Sequence, residues 1–199
     1  MKRLKTEIRK EQLIRGVLNV ISRDGMNHLS IARVSKEIGL VPSALYRHFS
    51  SKDEMLDAVL EYIQDRIRSN IHDVSEETDD AVERLHRFLL RQLKLIKESP
   101  AIPTVVFTQA FFSERAERRK KMFQLVTEAM QRLAFIVQIG QKDGEIRTDI
   151  EAQTIVLMLI GIFQPAALLY QLSDGKHDPL KHGKKVWKLF RSMIVPVQK

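Results

Sequence analysis

Cysteine is absent from the 199-residue chain, which excludes a disulfide framework, a thiolate zinc site and a cysteine nucleophile. Glycine and proline are scarce, with 8 and 6 residues, and leave little room for a sandwich of many short strands. No glycine-rich phosphate-binding loop occurs. The basic N-terminus lacks the uninterrupted apolar segment of a signal peptide, because Arg9, Lys10, Glu11 and Arg15 interrupt it. These absences favour a protein of the reducing cytoplasm.

Helical periodicity and an uneven charge distribution are the main positive features. Apolar residues make up 44% of the chain and recur at helical spacing almost throughout, which predicts an all-α fold. Residues 1–52 hold 11 Lys and Arg against 4 Asp and Glu, whereas the other 147 residues hold 22 and 21. Cationic groups release the counterions that are condensed on phosphate, so a basic segment of this kind favours nucleic-acid binding. We therefore expect an N-terminal nucleic-acid-binding module joined to a nearly neutral domain.

Two short helices meet at a glycine within residues 30–57. Three apolar residues at helical spacing mark one side of the first helix: Ile31, Val34 and Ile38. Ser30 caps this helix, and Gly39 ends it because glycine tolerates the positive φ of a sharp turn. Pro42 opens the second helix, where its missing N–H would be unpaired in any case. The pattern predicts a helix-turn-helix, which places its second helix in the major groove of DNA.

The residues around this turn resemble the pattern of the TetR/AcrR family of bacterial transcriptional regulators. The matching segments are Ile38-Gly39-Leu40, Leu45-Tyr46-Arg47-His48-Phe49 and Lys52-Asp53-Glu54-Met55-Leu56. The resemblance covers roughly residues 8–60, and the remainder is similar in length, helical character and helix order. The chain departs from the family at Ser35, where many members carry Ala, and at Ser43-Ala44, where a Thr often opens the recognition helix. Base preference therefore does not transfer.

The resemblance implies a domain organisation and a function. We expect a three-helix helix-turn-helix DNA-binding domain at residues 1–50, a connecting helix at 51–71, and a larger helical ligand-binding and dimerisation domain at 72–199. The implied protein is a homodimeric repressor that binds a palindromic operator in double-stranded DNA and responds to a ligand. An alternative is a DNA-associated protein of chromosome organisation or division control, with the same fold and no small-molecule inducer. No catalytic constellation is present, so we do not expect an enzyme.

Ten residues are predicted to contact DNA: Ser30, Arg33, Val41, Pro42, Ser43, Ala44, Tyr46, Arg47, His48 and Lys52. The first two are expected on phosphate, and residues 41–44 on base edges, where the alanine methyl and the proline ring suit thymine methyl groups. The resemblance assigns Tyr46, His48 and Lys52 to the DNA backbone. Arg47 suits either a bidentate contact to guanine or a phosphate contact, and the sequence leaves both open.

The chain after the motif reads as a series of helices. Ser51 and Glu54 form a capping box that opens the connecting helix, whose N-terminus and Lys52 suit one DNA phosphate. Residues 72–80 are polar and without periodicity, which predicts a loop. Further helices are expected at residues 79–98, 104–112 and 114–142. Arg118 and its basic neighbours are predicted to form the solvated face of the third.

The last two helices are predicted to form the dimer interface. Thr148 and Glu151 make a second capping box before the apolar run 155–163, which at nine residues is too short to span a bilayer. Pro165 is expected to kink this helix, and Asp178-Pro179 opens the final one. Both helices have apolar residues on more than one side. This pattern favours packing against a second copy of the chain and no contact with a membrane.

Aromatic and methionine side chains are the candidates for a ligand site in the C-terminal domain. They are Phe107, Phe111, Phe112, Met122, Phe123, Phe163 and Tyr170. Their character predicts a small, largely apolar ligand, whereas the alternative is that they are ordinary core residues. His177 and His182 lie five residues apart around a loop and do not share a helix face, so we expect neither a metal site nor a cofactor.

Overall fold

The computed structural model describes residues 2–107 and 116–197, without the side chains of residues 2–9 and 107. Within these ranges the fold is all-α, as predicted, and contains no strand. The helices are α1 (Lys2–Asp24), α2 (Ile31–Glu37), α3 (Pro42–Tyr46), α4 (Lys52–Glu77), α5 (Ala81–Glu98), α6 (Ala101–Phe107), α7 (Ala116–Lys142), α8 (Ala152–Ile160), α9 (Phe163–Leu172) and α10 (Pro179–Ile194). A short 3₁₀ turn, Met26–His28, follows α1.

The described residues form two compact units. The first takes residues up to 65 together with those of 99–122, and the second takes 66–98 and 123–197. This division differs from the expected boundaries after residues 50 and 71. The first unit also includes α6 and the start of α7, and its boundary falls inside α4. Both α4 and α7 therefore contribute residues to each unit.

The core of the first unit forms around α1. Its buried residues recur at helical spacing and include Leu13, Ile14, Val17, Leu18 and Ile21. Helices α2 and α6 and the 3₁₀ turn pack against α1, and α3 packs against α2. Burial of these apolar side chains is worth roughly 1.5–3 kcal/mol for each large residue, and it holds the short helices in place.

The turn between α2 and α3 has the geometry that its sequence predicts. The Ser30 hydroxyl accepts a hydrogen bond from the Arg33 N–H at 3.3 Å, which caps α2. Gly39 has a φ of 67°. The Leu40 N–H bonds to the Ser35 carbonyl at 2.9 Å, which is the six-residue hydrogen bond of a Schellman motif. This motif ends α2 and sets the direction in which the chain enters α3.

The second unit packs α5 between α9 and α10, with the second half of α7 and α8 contributing to the same core. Trp187 stacks on His86 at a ring separation of 4.6 Å, and Phe88 meets Phe163 edge to face at 6.0 Å. The predicted start of the last helix is confirmed, since the Asp178 carboxylate accepts a hydrogen bond from the Leu180 N–H at 2.9 Å. Lys97 pairs with this same carboxylate at 3.0 Å.

Two local predictions were wrong. Residues 72–77 are helical because Val74, which is fully buried, extends the apolar stripe of α4, and Glu77 pairs with Arg91 of α5. The capping box predicted at Thr148 and Glu151 does not form, and α8 begins only at Ala152. Here the backbone is held by tertiary contacts, since the Gln141 amide donates to the carbonyls of residues 147 and 150 at 2.9 and 2.8 Å.

The apolar segment at α8 and α9 is longer than the nine residues considered above. Ala152–Leu172 is a stretch of 21 residues whose most apolar 18-residue window has a mean hydropathy of 1.9, and by length and composition alone it reaches the size of a membrane span. Core helices of soluble proteins meet the same criterion, and 33% of its most apolar window is buried. The helix breaks at residues 161–162, four and three residues before Pro165, because proline has no N–H to bond to the carbonyl of residue 161.

Gly39→Ala is expected to destabilise the protein by about 1–2 kcal/mol, because an L side chain is strained at positive φ. A Cβ added here meets no atom within 4 Å, so the cost is conformational and not a clash. Gly39→Asn is the matched control and is expected to cost less, since Asn tolerates this region. Urea unfolding measures both, and equal stability of Gly39→Ala and the original chain would contradict the role given to the turn.

Candidate nucleic-acid interface

Helix α3 has an accessible outer face and a buried apolar side. Pro42 is its first residue, and Leu45 and Phe49 are buried, with 0% and 5% of their surface exposed. On the other side Val41 and Tyr46 are 64% and 58% exposed, although large apolar side chains are normally covered. The remaining predicted readers are also accessible: Pro42, Ser43, Arg47 and His48 are exposed, and Ala44 is half-buried. The residues predicted on base edges therefore form one accessible surface.

A cluster of charges joins the end of α1 to α2. Asp24 accepts hydrogen bonds from Arg23 and Arg33, both at 3.0 Å, and Glu37 accepts from Arg23 at 2.6 Å. Asn19 also donates to Glu37 at 3.2 Å. Arg33, a predicted phosphate contact, is thus already paired with a carboxylate. Sequence reasoning missed the Arg33–Asp24 and Arg23–Glu37 pairs because their members lie 9 and 14 residues apart in the chain.

Hydrogen bonding keeps both carboxylates ionised. The bond from Arg23, with a further bond from Arg33, lowers the pKa of Asp24 below its ordinary value of 3.8. Bonds from Arg23 and Asn19 lower the pKa of Glu37 below 4.5 in the same way. Their ionised forms therefore contribute to stability above these values, and that contribution is lost as the pH falls through the lowered pKa. At neutral pH the cluster therefore holds two carboxylates paired with two arginines.

The N-terminus of α4 is capped by the predicted pair, Ser51 and Glu54, although the carboxylate bonds the N–H one residue before the N-cap. The Ser51 hydroxyl accepts from the Glu54 N–H at 3.2 Å, and the Glu54 carboxylate accepts from the Ser50 N–H. This second bond lowers the pKa of Glu54. Lys52 is half-buried and is the first residue of the helix. A capped, positively polarised helix end with a lysine ammonium suits one DNA phosphate.

Arg118 is buried, which corrects the prediction that it lies on a solvated helix face. Its side chain is 1% exposed, and its guanidinium donates to Asp57 at 2.8 Å and to Asp53 at 2.9 Å. A further bond at 3.3 Å reaches the Asp53 carbonyl. The start of α7 is thereby joined to the first turns of α4, within the first unit. Arg119, Lys120 and Lys121 are exposed as predicted, and Arg115 lies outside the described residues.

The predicted ligand-site residues have different environments. Phe163 lies at the edge of the core of the second unit, and the Tyr170 hydroxyl donates to the Lys97 carbonyl at 3.4 Å. Met122 is 6% exposed in the first unit, whereas Phe123, in the second, is 71% exposed. Phe107 is the last residue of α6, and Phe111 and Phe112 lie outside the described residues. The ligand site therefore remains a prediction.

A cavity of about 190 Å³ lies between α4 and α5 in the second unit, and its lining is polar. The lining includes Asn70, whose Nδ2 donates to the Phe88 carbonyl at 3.5 Å, and Arg91, which pairs with Asp73 at 3.6 Å. Elsewhere in this unit His177 and His182 approach to 3.4 Å between ring nitrogens, and burial lowers the pKa of His182. Among the described residues no group of three or more histidine and acidic side chains has metal-binding geometry.

Comparison with known protein families identifies the class. The model of bacterial regulatory proteins of the tetR family matches residues 13–59, which contain α2, α3 and the capped start of α4. The model of the YsiA-like protein, C-terminal region, matches residues 56–193. The chain belongs to the TetR family of transcriptional regulators, whose members bind DNA and dimerise.

Individual relatives are more distant. The chain is 23% identical to the nucleoid occlusion factor SlmA of Vibrio vulnificus over 187 residues, which cover 94% of this chain and 95% of the relative. The ketosteroid transcriptional regulator KstR2 of Mycobacterium tuberculosis is 17% identical, with a TM-score of 0.76 and coverage of 94% and 95%. FadR of Bacillus subtilis, solved in complex with stearoyl-CoA, is 19% identical, with a TM-score of 0.74 and coverage of 92% and 97%. At these identities the two structures share the fold with this chain.

Asp24→Asn is expected to raise affinity for DNA roughly three- to tenfold at low salt, because it removes a negative charge and releases Arg33 for phosphate. Fluorescence anisotropy with a labelled duplex measures the change, and thermal unfolding confirms that the variant is folded. Asp143→Asn is the control, since it makes the same charge change at an exposed position of the second unit. Weaker binding by Asp24→Asn would mean that Asp24 holds Arg33 in its DNA-binding position.

Proposed function

We propose that this protein is a homodimeric, sequence-specific transcriptional repressor of the cytoplasm, released from a palindromic operator by a small, largely apolar ligand. The observation that supports this most directly is the accessible polar face of α3, which is backed by the buried Leu45 and Phe49. Residues 41–44 would approach base edges in the major groove, and Tyr46, His48 and Lys52 would hold the DNA backbone. Ser30 and Arg33 would contact phosphate from α2.

The nature of the ligand is supported by the named neighbours. One is a ketosteroid regulator and another was solved with stearoyl-CoA. A steroid and an acyl chain are both largely apolar, as the aromatic and methionine candidates in this chain also suggest. We therefore propose an acyl or similarly apolar inducer that binds in the C-terminal domain expected at residues 72–199.

Dimerisation is proposed through the last two helical regions. Leu168, Leu169 and Leu172 of α9 share one face at helical spacing, and Leu172 is 73% exposed. Leu157 on α8 and Leu189 on α10 are 56% and 63% exposed. An apolar surface of this kind is costly in water, and a second copy of the chain covers it. A symmetric dimer then presents two α3 helices to the half-sites of a palindrome, one DNA turn or about 34 Å apart.

A second candidate function is supported by the similarity to nucleoid occlusion factors. In this alternative the chain binds DNA through the same surface, and its second unit binds a protein partner instead of an inducer. The aromatic residues of that unit would then be solid core. Both functions require DNA binding through α3. They differ in whether the second unit recognises a small ligand or a protein.

The experiment that tests the repressor is anisotropy of the purified protein with the DNA flanking its own gene and with a scrambled duplex, at physiological salt. We expect the flanking DNA to bind at least about 10³-fold more tightly. Apolar acyl compounds are then screened for thermal stabilisation and for release of that DNA. Compounds that do neither, with sequence-specific binding intact, would favour the division-control alternative. Equal, salt-sensitive binding to both duplexes would contradict an operator at this locus.

Arg47→Ala is expected to weaken DNA binding, and the pattern of the loss identifies the contact. A bidentate contact to guanine predicts a cost of about 1–3 kcal/mol confined to one base position. A phosphate contact predicts equal weakening on all sequences and a salt dependence reduced by about one unit of slope. Anisotropy on single-base operator variants over a salt series separates the two results. Unchanged affinity for every duplex would exclude both roles.

Leu172→Asp is expected to dissociate the dimer, because it places a charge on the exposed apolar surface of α9. Operator binding is expected to weaken by at least about 100-fold, because a monomer contacts only one of the two half-sites. Light scattering after size-exclusion chromatography measures the mass, and anisotropy measures binding. Leu172→Met keeps the apolar surface and serves as the control. If the Leu172→Asp variant is still a dimer, the interface lies elsewhere. If the original chain co-purifies with lipid, this surface contacts a membrane.

A further inference from the structure

Three acidic residues lie within the first six positions of α4, the helix whose N-terminus is proposed to bind a DNA phosphate. They are Asp53, Glu54 and Asp57. Glu54 is part of the capping box and accepts the Ser50 N–H. Asp53 and Asp57 are four residues apart, so they share one helix face, and each is 32% exposed. Two like charges at this spacing repel each other and would also repel a phosphate nearby.

The guanidinium of Arg118 forms ion pairs with both carboxylates. It contacts Asp57 at 2.8 Å and Asp53 at 2.9 Å, and its side chain is 1% exposed. Charge-assisted hydrogen bonds of this kind are the strong class, and the fork of an arginine matches two acceptors that a lysine reaches less well. Asp53 and Asp57 alone carry a charge of minus two, and together with Arg118 the net charge is minus one. The pairing also fixes the first turns of α4 against the start of α7.

We propose that Arg118 is a positioning residue for DNA binding: by pairing with Asp53 and Asp57 it allows the N-terminus of α4 to accept a DNA phosphate. This inference rests on the proposed function and adds a means of regulating it. Helix α7 continues from Arg118 into the second unit. A ligand or partner that draws residues 116–122 away from α4 would expose two carboxylates beside the phosphate and would release the DNA.

The test compares variants that separate charge from packing. Arg118→Met removes the cation and keeps a long apolar side chain, and it is expected to weaken DNA binding by about tenfold or more, the size of a lost charge-assisted contact. The triple variant Arg118→Met, Asp53→Asn, Asp57→Asn removes the repelling charges as well and is expected to recover most of that affinity. Arg119→Met is the matched control, because it changes the same charge at the next, exposed position. Its affinity is expected to stay within a few-fold of the original.

Anisotropy is measured on the operator duplex and on a scrambled duplex at low salt, and circular dichroism with urea unfolding shows which variants are folded. The Arg118→Met effect should be the same factor on both duplexes, because a phosphate contact carries no sequence information. A folded Arg118→Met protein with unchanged affinity would overturn the proposal. A triple variant that is folded and as weak as Arg118→Met would also overturn it, since the arginine would then act through packing alone.

Failure of the inference and failure of the proposed function give different results. If the original chain does not prefer the operator, the repressor proposal fails, while the Arg118 comparison is still measured on the scrambled duplex. If Arg118→Met does not fold, Arg118→Lys supplies the second measurement. It keeps the charge and loses the two-pronged geometry, so it is expected to bind DNA more weakly than the original chain and more weakly than the double variant Arg118→Lys, Asp53→Asn, which removes one of the repelling carboxylates. Equal affinity of the lysine variant and that double variant would overturn the charge argument.

Discussion

The burial of Leu45 and Phe49 is the contact on which the DNA-reading surface depends. Helix α3 has only five residues, and an isolated helix of that length is far below the size that is stable in water. Its conformation therefore comes from tertiary packing and from the turns at its two ends. The Schellman turn at Gly39 fixes the entry, and the capping box of Ser51 and Glu54 fixes the next helix. The exposed side chains of α3 are held in fixed positions only because the opposite, apolar side of the helix is buried.

The sequence predicted these features well because their chemistry is local. Ser30, Gly39 and Asp178 satisfy backbone groups within a few residues of their own positions, so the residue type alone indicates the helix end. The same reasoning failed at Thr148, where the correct spacing to Glu151 is present. There Gln141 and the carbonyl of residue 194 bond the backbone of residues 147–150, and these partners are distant in sequence. A local signal is reliable where no tertiary contact holds the same stretch of backbone.

Arg118 shows a different limit of sequence reasoning. Charged residues are nearly always placed at the surface, and a run of basic residues favours a solvated face. Periodicity gave the opposite indication, since Arg118 lies four residues before Met122 and seven before Leu125, both buried. The buried side of α7 thus includes Arg118. Its partners could not be inferred, because Asp53 and Asp57 lie 65 and 61 residues away in the chain. A charged residue on the apolar side of a helix indicates that a partner of opposite charge exists, but the pattern does not identify that partner.

The cavity between α4 and α5 bears on the choice between an inducer and a protein partner. At about 190 Å³ with a polar lining, it is smaller than the 300–1,000 Å³ typical of drug-sized ligand sites. The proposed acyl or steroid inducer is therefore expected to bind at another place or to open one. A ligand that opens a site acts by its preference for the opened state, and the shift it produces is limited by that preference. A protein partner that covers the exposed leucines of α8 to α10 needs no such opening, but it competes with the second copy of the chain. An inducer that opens a site acts through a conformational change and a protein partner through a shared surface, so the oligomeric state of the DNA-bound protein distinguishes these two mechanisms.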